Sequence, residues 1–263
     1  MPELPEVETV VRSLAPRLTG RRIMEASFSS TIVVRQNFDE LAARLRRQLV
    51  KSVTRHGKFI VVELETGTLS IHLGMTGKLL FDGPAGKHAR AIFELDRGVL
   101  IYDDIRHFGR IEWSPQLLDR AQALGPDALS ISLEEFQRRL KQRHAQIKPL
   151  LLNQSFLRGM GNIYTDEALF ASRIHPKAIA SKLSKPRASK LHAAMVGILA
   201  EAIRLKGSSI SDYVDAEGAK GSFQQQHQVY GREGEPCVNC GSAIRRIVLG
   251  SRGTHYCPKC QRV

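Results

Sequence analysis

Two cysteine pairs near the end of the chain, Cys237-x-x-Cys240 and Cys257-x-x-Cys260, constrain the fold more than any other feature. The 16 residues between them give the spacing of a four-cysteine zinc ribbon, in which two knuckles each offer two thiolates to one tetrahedral ion. Gly241 suits the tight turn after the first pair, and residues 244–256 can form a hairpin. With all four positions filled by protein, such an ion is structural and activates no water. Two disulfides or free thiols are the alternative reading. A ribbon this small buries little core, so the metal supplies much of its folding energy. The chain has only these 4 cysteines, which excludes a disulfide scaffold spread over its length. The hairpin carries Arg245, Arg246 and Arg252, placed either to meet phosphates or to form a solvated face.

The 263 residues suffice for two domains, each burying its own core. Hydrophobic residues at 42% and charged residues at 25% exclude wholesale disorder. No apolar run approaches the roughly 18–20 residues of a membrane span. The start, MPELPEVE, has neither the basic residues nor the apolar stretch of a secretory signal, so a soluble cytoplasmic protein is expected. Net charge is +13, from 39 Lys and Arg against 26 Asp and Glu. Residues 131–190 carry +8 of it and 231–263 carry +4, whereas 82–127 are at −2. Charge concentrated in this way points to a polyanion partner, with solubility alone as the bland alternative.

Short β-rich runs punctuate the first part of the chain: Ile32–Val34, Phe59–Leu64, Leu69–Leu73, Ala91–Leu95 and Val99–Tyr102. Their spacing predicts a sandwich or barrel. Val7, Val10, Val11, Leu14 and Leu18 predict a helix over 5–18, with Pro5 in its first turn and Thr19-Gly20 at its end. A second helix is expected over 38–48. Residues 125–130 read as a linker between an N-terminal domain, 1–124, and a helical domain, 131–228, with the ribbon at 229–263. Ser132 and Glu135 form a capping-box signature, and further helices are expected near 147–153, 162–173 and 186–206. Residues 215–224, polar and with two glycines, read as a mobile loop.

The N-terminus offers unusual chemistry. Removal of Met1, expected before the small Pro2, would leave a secondary amine. An α-amino group titrates near about 7.7–8 against about 10.4 for lysine, so part of it is unprotonated at neutrality. Such an amine attacking a sugar C1′ gives an iminium, an electron sink for elimination. Glu3 beside it could exchange protons with a substrate. Taken alone, Met-Pro reads first as a plain helix entry. Asn162, after Gly159-Met160-Gly161 at an expected helix start, suits phosphate binding or simple capping.

An ordered series of motifs extends these signals over essentially the whole chain. Met1-Pro2-Glu3-Leu4-Pro5-Glu6-Val7-Glu8 resembles the N-terminal signature of bacterial formamidopyrimidine-DNA glycosylases (Fpg, MutM). Arg55-His56-Gly57-Lys58-Phe59, His72-Leu73-Gly74-Met75-Thr76-Gly77 and Asp104-Ile105-Arg106-His107-Phe108-Gly109 follow. Ile147-Lys148-Pro149, Gly159–Tyr164 and Gln228–Arg232 come next, leading into the cysteines.

The resemblance implies an α+β multidomain fold: an N-terminal β-sandwich flanked by helices, a helix–two-turns–helix domain and the zinc-finger hairpin, with DNA in the basic cleft. It implies a bifunctional glycosylase and AP lyase that excises oxidised purines from damaged double-stranded DNA. One structural zinc, no catalytic cofactor, no membrane, a monomer and a cytoplasmic, nucleoid-associated site of action complete that expectation. Pro2 would be the Schiff-base nucleophile and Glu3 the acid. Lys58 would donate a proton in β-elimination, and Arg252 would act in δ-elimination. Met75, Arg106 and Phe108 would fill the void left by the extruded base, Arg106 facing the orphan cytosine. Asn162, His88 and Arg143 match DNA-contacting positions, and Glu217–Ser222 the base-capping loop.

Two departures stand out. Ile105 and His107 replace the usual proline and second arginine, which relaxes the backbone and removes a permanent charge. Thr165 stands where alanine is commoner, with little consequence expected. An endonuclease VIII-like enzyme for oxidised pyrimidines and a non-catalytic zinc-ribbon DNA-binding protein are the competing readings.

Overall fold

The β-rich runs of the N-terminal part pair into two four-stranded sheets whose inward faces meet in one apolar core. The computed structural model describes residues 1–210 and 213–262. It divides into two units, Met1–Ala123 with Leu205–Gln224, and Leu124–Arg204 with Gln225–Val263. The first is therefore discontinuous: it takes in a segment beyond the long helix that the linear reading counts with the helical domain.

In the first unit α1 (Leu4–Leu18) precedes β1 (Ile23–Phe28), α2 (Phe38–Leu45), β2 (Val50–His56) and β3 (Phe59–Leu64). Then come β4 (Thr68–His72), β5 (Lys78–Phe81), β6 (Ala89–Leu95), β7 (Val99–Asp103), β8 (Arg110–Ser114) and the short α3 (Asp119–Gln122). One antiparallel sheet is ordered β1-β6-β7-β5 and the other β2-β3-β4-β8. Alternation turns Ala91, Phe93 and Leu95 of one sheet and Ile60, Val62 and Leu64 of the other into a shared core. The stripe Val7, Val10, Val11, Leu14 and Leu18 seals α1 onto that core, against β2 and β3.

The run Ile32-Val33-Val34 is not a strand. It is a turn in which Val34 makes a single bridge to Ile111. Val33 and Val34 are fully buried while Ile32 is exposed. Burial alone satisfies this β-branched run, so tertiary packing overrides its strand propensity.

In the second unit α4 (Leu133–Lys141), α5 (Ile147–Leu152), α6 (Asn162–Ala171) and α7 (Lys185–Arg204) precede the hairpin β9 (Arg245–Leu249) and β10 (Arg252–Tyr256). Helix α6 packs against α5, α7 and β10. Ser132 caps α4 by accepting the Glu135 N–H at 3.2 Å. The Glu135 carboxylate turns to Arg138, at 2.7 and 2.8 Å, so only half of the expected box is seen. Helices α2, α6 and α7 end two or three residues before their sequence-based limits. Each is closed by a left-handed Arg or Lys (Arg47, Arg173, Lys206) where glycine is the usual stop signal. Among the described residues no helix is long and apolar enough to cross a membrane.

Candidate active site

Pro2 and Glu3 are buried at the entry to α1, while Met1 is half exposed. Glu6, itself buried, fixes them from one turn along. One of its carboxylate oxygens accepts the Glu3 N–H at 2.7 Å and the other accepts the Ser208 N–H at 2.8 Å. Tyr213 donates its hydroxyl to the Glu6 carbonyl at 3.3 Å. The N-terminus is thus tied to the segment returning from beyond α7. That segment leads into the loop expected to be mobile, which is instead organised around Asp215. The Asp215 carboxylate accepts the N–H groups of Glu217 at 3.0 Å and Ala219 at 2.8 Å, and Lys206 at 3.0 Å. Arg17 of α1 pairs with Glu217, and Phe81 of β5 donates its N–H to the Ala216 carbonyl at 3.0 Å.

Lys58 lies in the two-residue turn joining β2 and β3, where Gly57 takes φ +62°, as a primed hairpin turn requires. Arg55 braces that turn against α1. Its guanidinium donates to Glu8 at 2.8 Å and to the Gly57 carbonyl at 3.1 Å. Burial raises the Glu8 carboxyl, but its hydrogen bonds to Arg55 and Arg12 outweigh this and hold it below the usual value.

His72 is the cross-strand partner of Phe59, next to Lys58, with its ring 5.2 Å from the Phe59 ring. Burial, reinforced by the charges of Lys58, Arg120 and Arg110, pushes its pKa down to about 4. Its Nδ1 accepts the Gly74 N–H at 3.1 Å, so the ring proton sits on Nε2. Between pH 6.5 and 4 the unfolded chain binds a proton that folded His72 refuses. Stability is therefore expected to fall with acid across that window, by up to about 3 kcal/mol from this group. Denaturant midpoints against pH for the wild type and His72→Asn check this, because His227, also pushed down by burial, is common to both. A shallower slope is expected for the variant; equal slopes exclude His72 as a source.

Met75, Arg106 and Phe108 come together on two loops sharing one buried carboxylate. Asp104 accepts the Thr76 hydroxyl at 2.5 Å, the Arg106 N–H at 3.2 Å and the Gly109 N–H at 2.9 Å. Gly74 lies so close to the second loop that a Cβ there would overlap the Phe108 carbonyl carbon, and its φ is +63°. Met75 (40% exposed) and Phe108 (50%) are therefore presented to solvent rather than packed in the core. The Arg106 guanidinium lies 4.6 Å from the Phe108 ring centroid. His88 adjoins the same loop, its carbonyl accepting the Asp104 N–H at 3.0 Å.

In the second unit Asn162 opens α6 after the cap residue Gly161, and Arg252 opens β10. The Gly253 carbonyl joins them. It accepts the Asn162 side-chain N–H at 3.0 Å and the Lys148 ammonium at 2.9 Å. Lys148 and Asp166, both fully buried, pair at 2.6 Å. The second Asp166 oxygen accepts the His255 N–H at 2.9 Å. This network locks the tip of the hairpin to α6 and leaves Arg252 exposed. Lys148→Met would strand the Asp166 charge and is expected to cost about 3 kcal/mol, measurable by denaturant unfolding. The double variant Lys148→Met/Asp166→Leu is expected to recover part of that loss; a double variant worse than the single contradicts a stranded charge. Arg143 stands apart, exposed after α4, with its guanidinium 3.4 Å from the Gln142 carbonyl.

The four cysteine sulfurs lie within 4.8 Å of one another. Cys237 and Cys260 are 3.9 Å apart, and Cys240 and Cys257 are 3.5 Å apart. Zinc–sulfur bonds of about 2.3 Å place tetrahedral ligands about 3.8 Å apart, so the donor set fits one zinc ion. Around it, Phe170, Val229 and Ile244 form a small core with Cys237 and Cys257. Glu167 anchors the approach to it by accepting the N–H groups of Gln228, Val229 and Tyr230 at 2.8–3.0 Å. Thr165 is fully buried, and among the described residues its hydroxyl has no hydrogen-bond partner, a desolvation cost that alanine would not carry.

Sequence reasoning did not single out Glu6, Arg55, His72, Asp104, Lys148 or Asp166 as parts of the site. Lys148 alone carried a local signal, as the one charged residue of the apolar run Ile147–Leu152.

Three family models match in order: the formamidopyrimidine-DNA glycosylase N-terminal domain over residues 1–111, its H2TH domain over 124–214, and the zinc finger found in FPG and IleRS over 234–263. The formamidopyrimidine-DNA glycosylase of Solibacter usitatus is 54% identical over the full length of both chains. That of Streptococcus pneumoniae is 39% identical over 100% of this chain and 99% of its own. A Lactococcus lactis FPG mutant in complex with Fapy-dG-containing DNA superposes with a TM-score of 0.91 at 36% identity, covering both chains fully. The MutM (Fpg) protein of Thermus thermophilus gives 0.90 at 39% identity, covering 99% of this chain and 98% of its own. With its three domains in that order and its identities spanning the whole length, the chain belongs to the formamidopyrimidine-DNA glycosylase family.

Proposed function

We propose that the chain is a bifunctional DNA glycosylase and AP lyase, excising 8-oxoguanine and formamidopyrimidines from duplex DNA in the cytoplasm as a monomer. The observation that carries the reading is the buried frame at the start of α1, where Glu6 holds Glu3 beside Pro2.

With Met1 removed, the Pro2 amine attacks C1′ of a flipped nucleotide. Glu3 delivers a proton as the C1′–base bond breaks, and the C1′–O4′ bond then opens, the proton lost from the Pro2 nitrogen passing to O4′ and leaving an iminium on Pro2. Loss of a C2′ proton then expels the 3′ phosphate, with Lys58 exchanging protons at the sugar. A second elimination, with Arg252 at the phosphate, expels the 5′ phosphate and leaves a one-nucleotide gap. Met75, Arg106 and Phe108 fill the vacated space in the duplex. His72, neutral, offers Nε2–H to a phosphate oxygen beside Lys58, while Asn162, His88 and Arg143 contribute further DNA contacts. The zinc, held by Cys237, Cys240, Cys257 and Cys260, keeps the hairpin folded and takes no part in the chemistry.

Borohydride trapping on a duplex with 8-oxoguanine opposite cytosine tests this, with mass mapping of the adduct and an intact-mass check that Met1 is absent. An adduct on residue 2 is the expected result. No adduct from protein with a bare Pro2 amine, despite salt-sensitive binding, would leave a DNA-binding protein without this chemistry.

A further inference from the structure

We propose that His107 is a positioning residue that fixes the void-filling loop through Ser30 and so sets discrimination of the base opposite the lesion. This rests on the glycosylase reading above. The loop between Asp104 and Gly109 is pinned at both ends by the Asp104 carboxylate. Within that span Ile105 is exposed and lacks the fixed φ of a proline. His107 is the residue that bends it, with φ +55°, a left-handed conformation uncommon among residues other than Gly and better suited to His, Asn and Asp than to most.

The His107 side chain holds that bend, beside a long hydrogen bond from Arg110 to the His107 carbonyl at 3.5 Å. His107 Nδ1 lies 2.8 Å from the Ser30 hydroxyl. Ser30 is 4% exposed, and its oxygen accepts the Val33 N–H at 3.3 Å, which leaves the hydroxyl proton to donate to Nδ1. The base of this anchor is itself fixed: Val34 donates its N–H to the Ser30 carbonyl at 2.9 Å, and Ile111 donates to the Val33 carbonyl at 3.0 Å. With His107 left-handed, the side chains on either side of it converge, and Arg106 stacks on Phe108. Arg106 is the group that would read the orphan base, so its orientation is set one residue away. This also gives the unexpected turn at Ile32–Val34 a purpose: it carries the anchor for the wedge.

The test compares excision of 8-oxoguanine opposite cytosine with excision opposite adenine, in the full-length zinc-loaded protein. Ser30→Ala removes the anchor. His107→Gly keeps the left-handed backbone without it. His107→Asn keeps the backbone and places a polar atom where Nδ1 lies. Because the ratio compares two substrates on one preparation, any loss of folded protein cancels from it. Ser30→Ala and His107→Gly are each expected to lower the cytosine-over-adenine ratio about fivefold, the worth of one hydrogen bond. The double variant is expected to match either single one, and His107→Asn to recover within about twofold. Unchanged ratios in both single variants, multiplying effects in the double variant, or a wild-type ratio near one would each overturn the proposal. Wild-type protein that excises 8-oxoguanine from neither duplex overturns the glycosylase reading, and this one with it.

Discussion

Removing the zinc with a strong chelator is expected to unfold the hairpin over residues 229–263 while the sandwich keeps its structure. Apart from Cys237 and Cys257, the buried core around the metal consists of Phe170, Val229 and Ile244. A core of that size cannot offset the ordering of some thirty residues. Zinc binding to small modules contributes about 10–16 kcal/mol at neutral pH, the largest single term in this part of the chain. Once the hairpin melts, Gly253 no longer bridges Asn162 and Lys148, and Arg252 loses its place. Hydrogen exchange along β9 and β10 should rise to the unfolded rate as a chromophoric indicator registers zinc release, and readdition of zinc should reverse it. Unchanged protection after complete release would show that the hairpin stands on its packing alone.

Glu3→Gln is expected to lower excision of 8-oxoguanine about a thousandfold, within the range for loss of a positioned general acid. The substitution is isosteric, and the Glu6 carboxylate still holds the residue through its backbone N–H. A duplex that already carries an abasic site needs no base departure, so trapping there is expected to stay within about tenfold of wild type. Single-turnover kinetics on the two duplexes separate the outcomes. Parallel losses on both would mean that Glu3 organises the N-terminus rather than delivering a proton.

Much of the site was legible because its chemistry is concentrated in short stretches of sequence. The cysteine pairs declare themselves within a few residues, whereas Pro2-Glu3, Lys58, Met75 and Phe108 carry meaning only through the ordered series of motifs that resembles the family. Helix positions were legible from their apolar stripes, and the end of α1 from Thr19-Gly20, but the ends of α2, α6 and α7 were not. Arg47 and Arg173 adopt the left-handed stop conformation without the glycine that would signal it, and Lys206 does so one residue before Gly207. Strand assignment failed at Ile32–Val34 because burial can satisfy a β-branched run in a turn as well as in a sheet.

What holds the reactive groups was invisible for a different reason. Glu6 with Ser208, Lys148 with Gly253 and His107 with Ser30 are partners separated by 77 to 202 residues. No local pattern marks such pairs, since each is formed only when distant backbone segments are brought together with their polar groups desolvated. Residue type and short spacing were enough for the metal ligands, and the motifs in their order along the chain were enough for the family and its succession of domains. How those groups are aimed follows from the fold, because aim comes from buried hydrogen bonds between segments the chain keeps far apart until it folds.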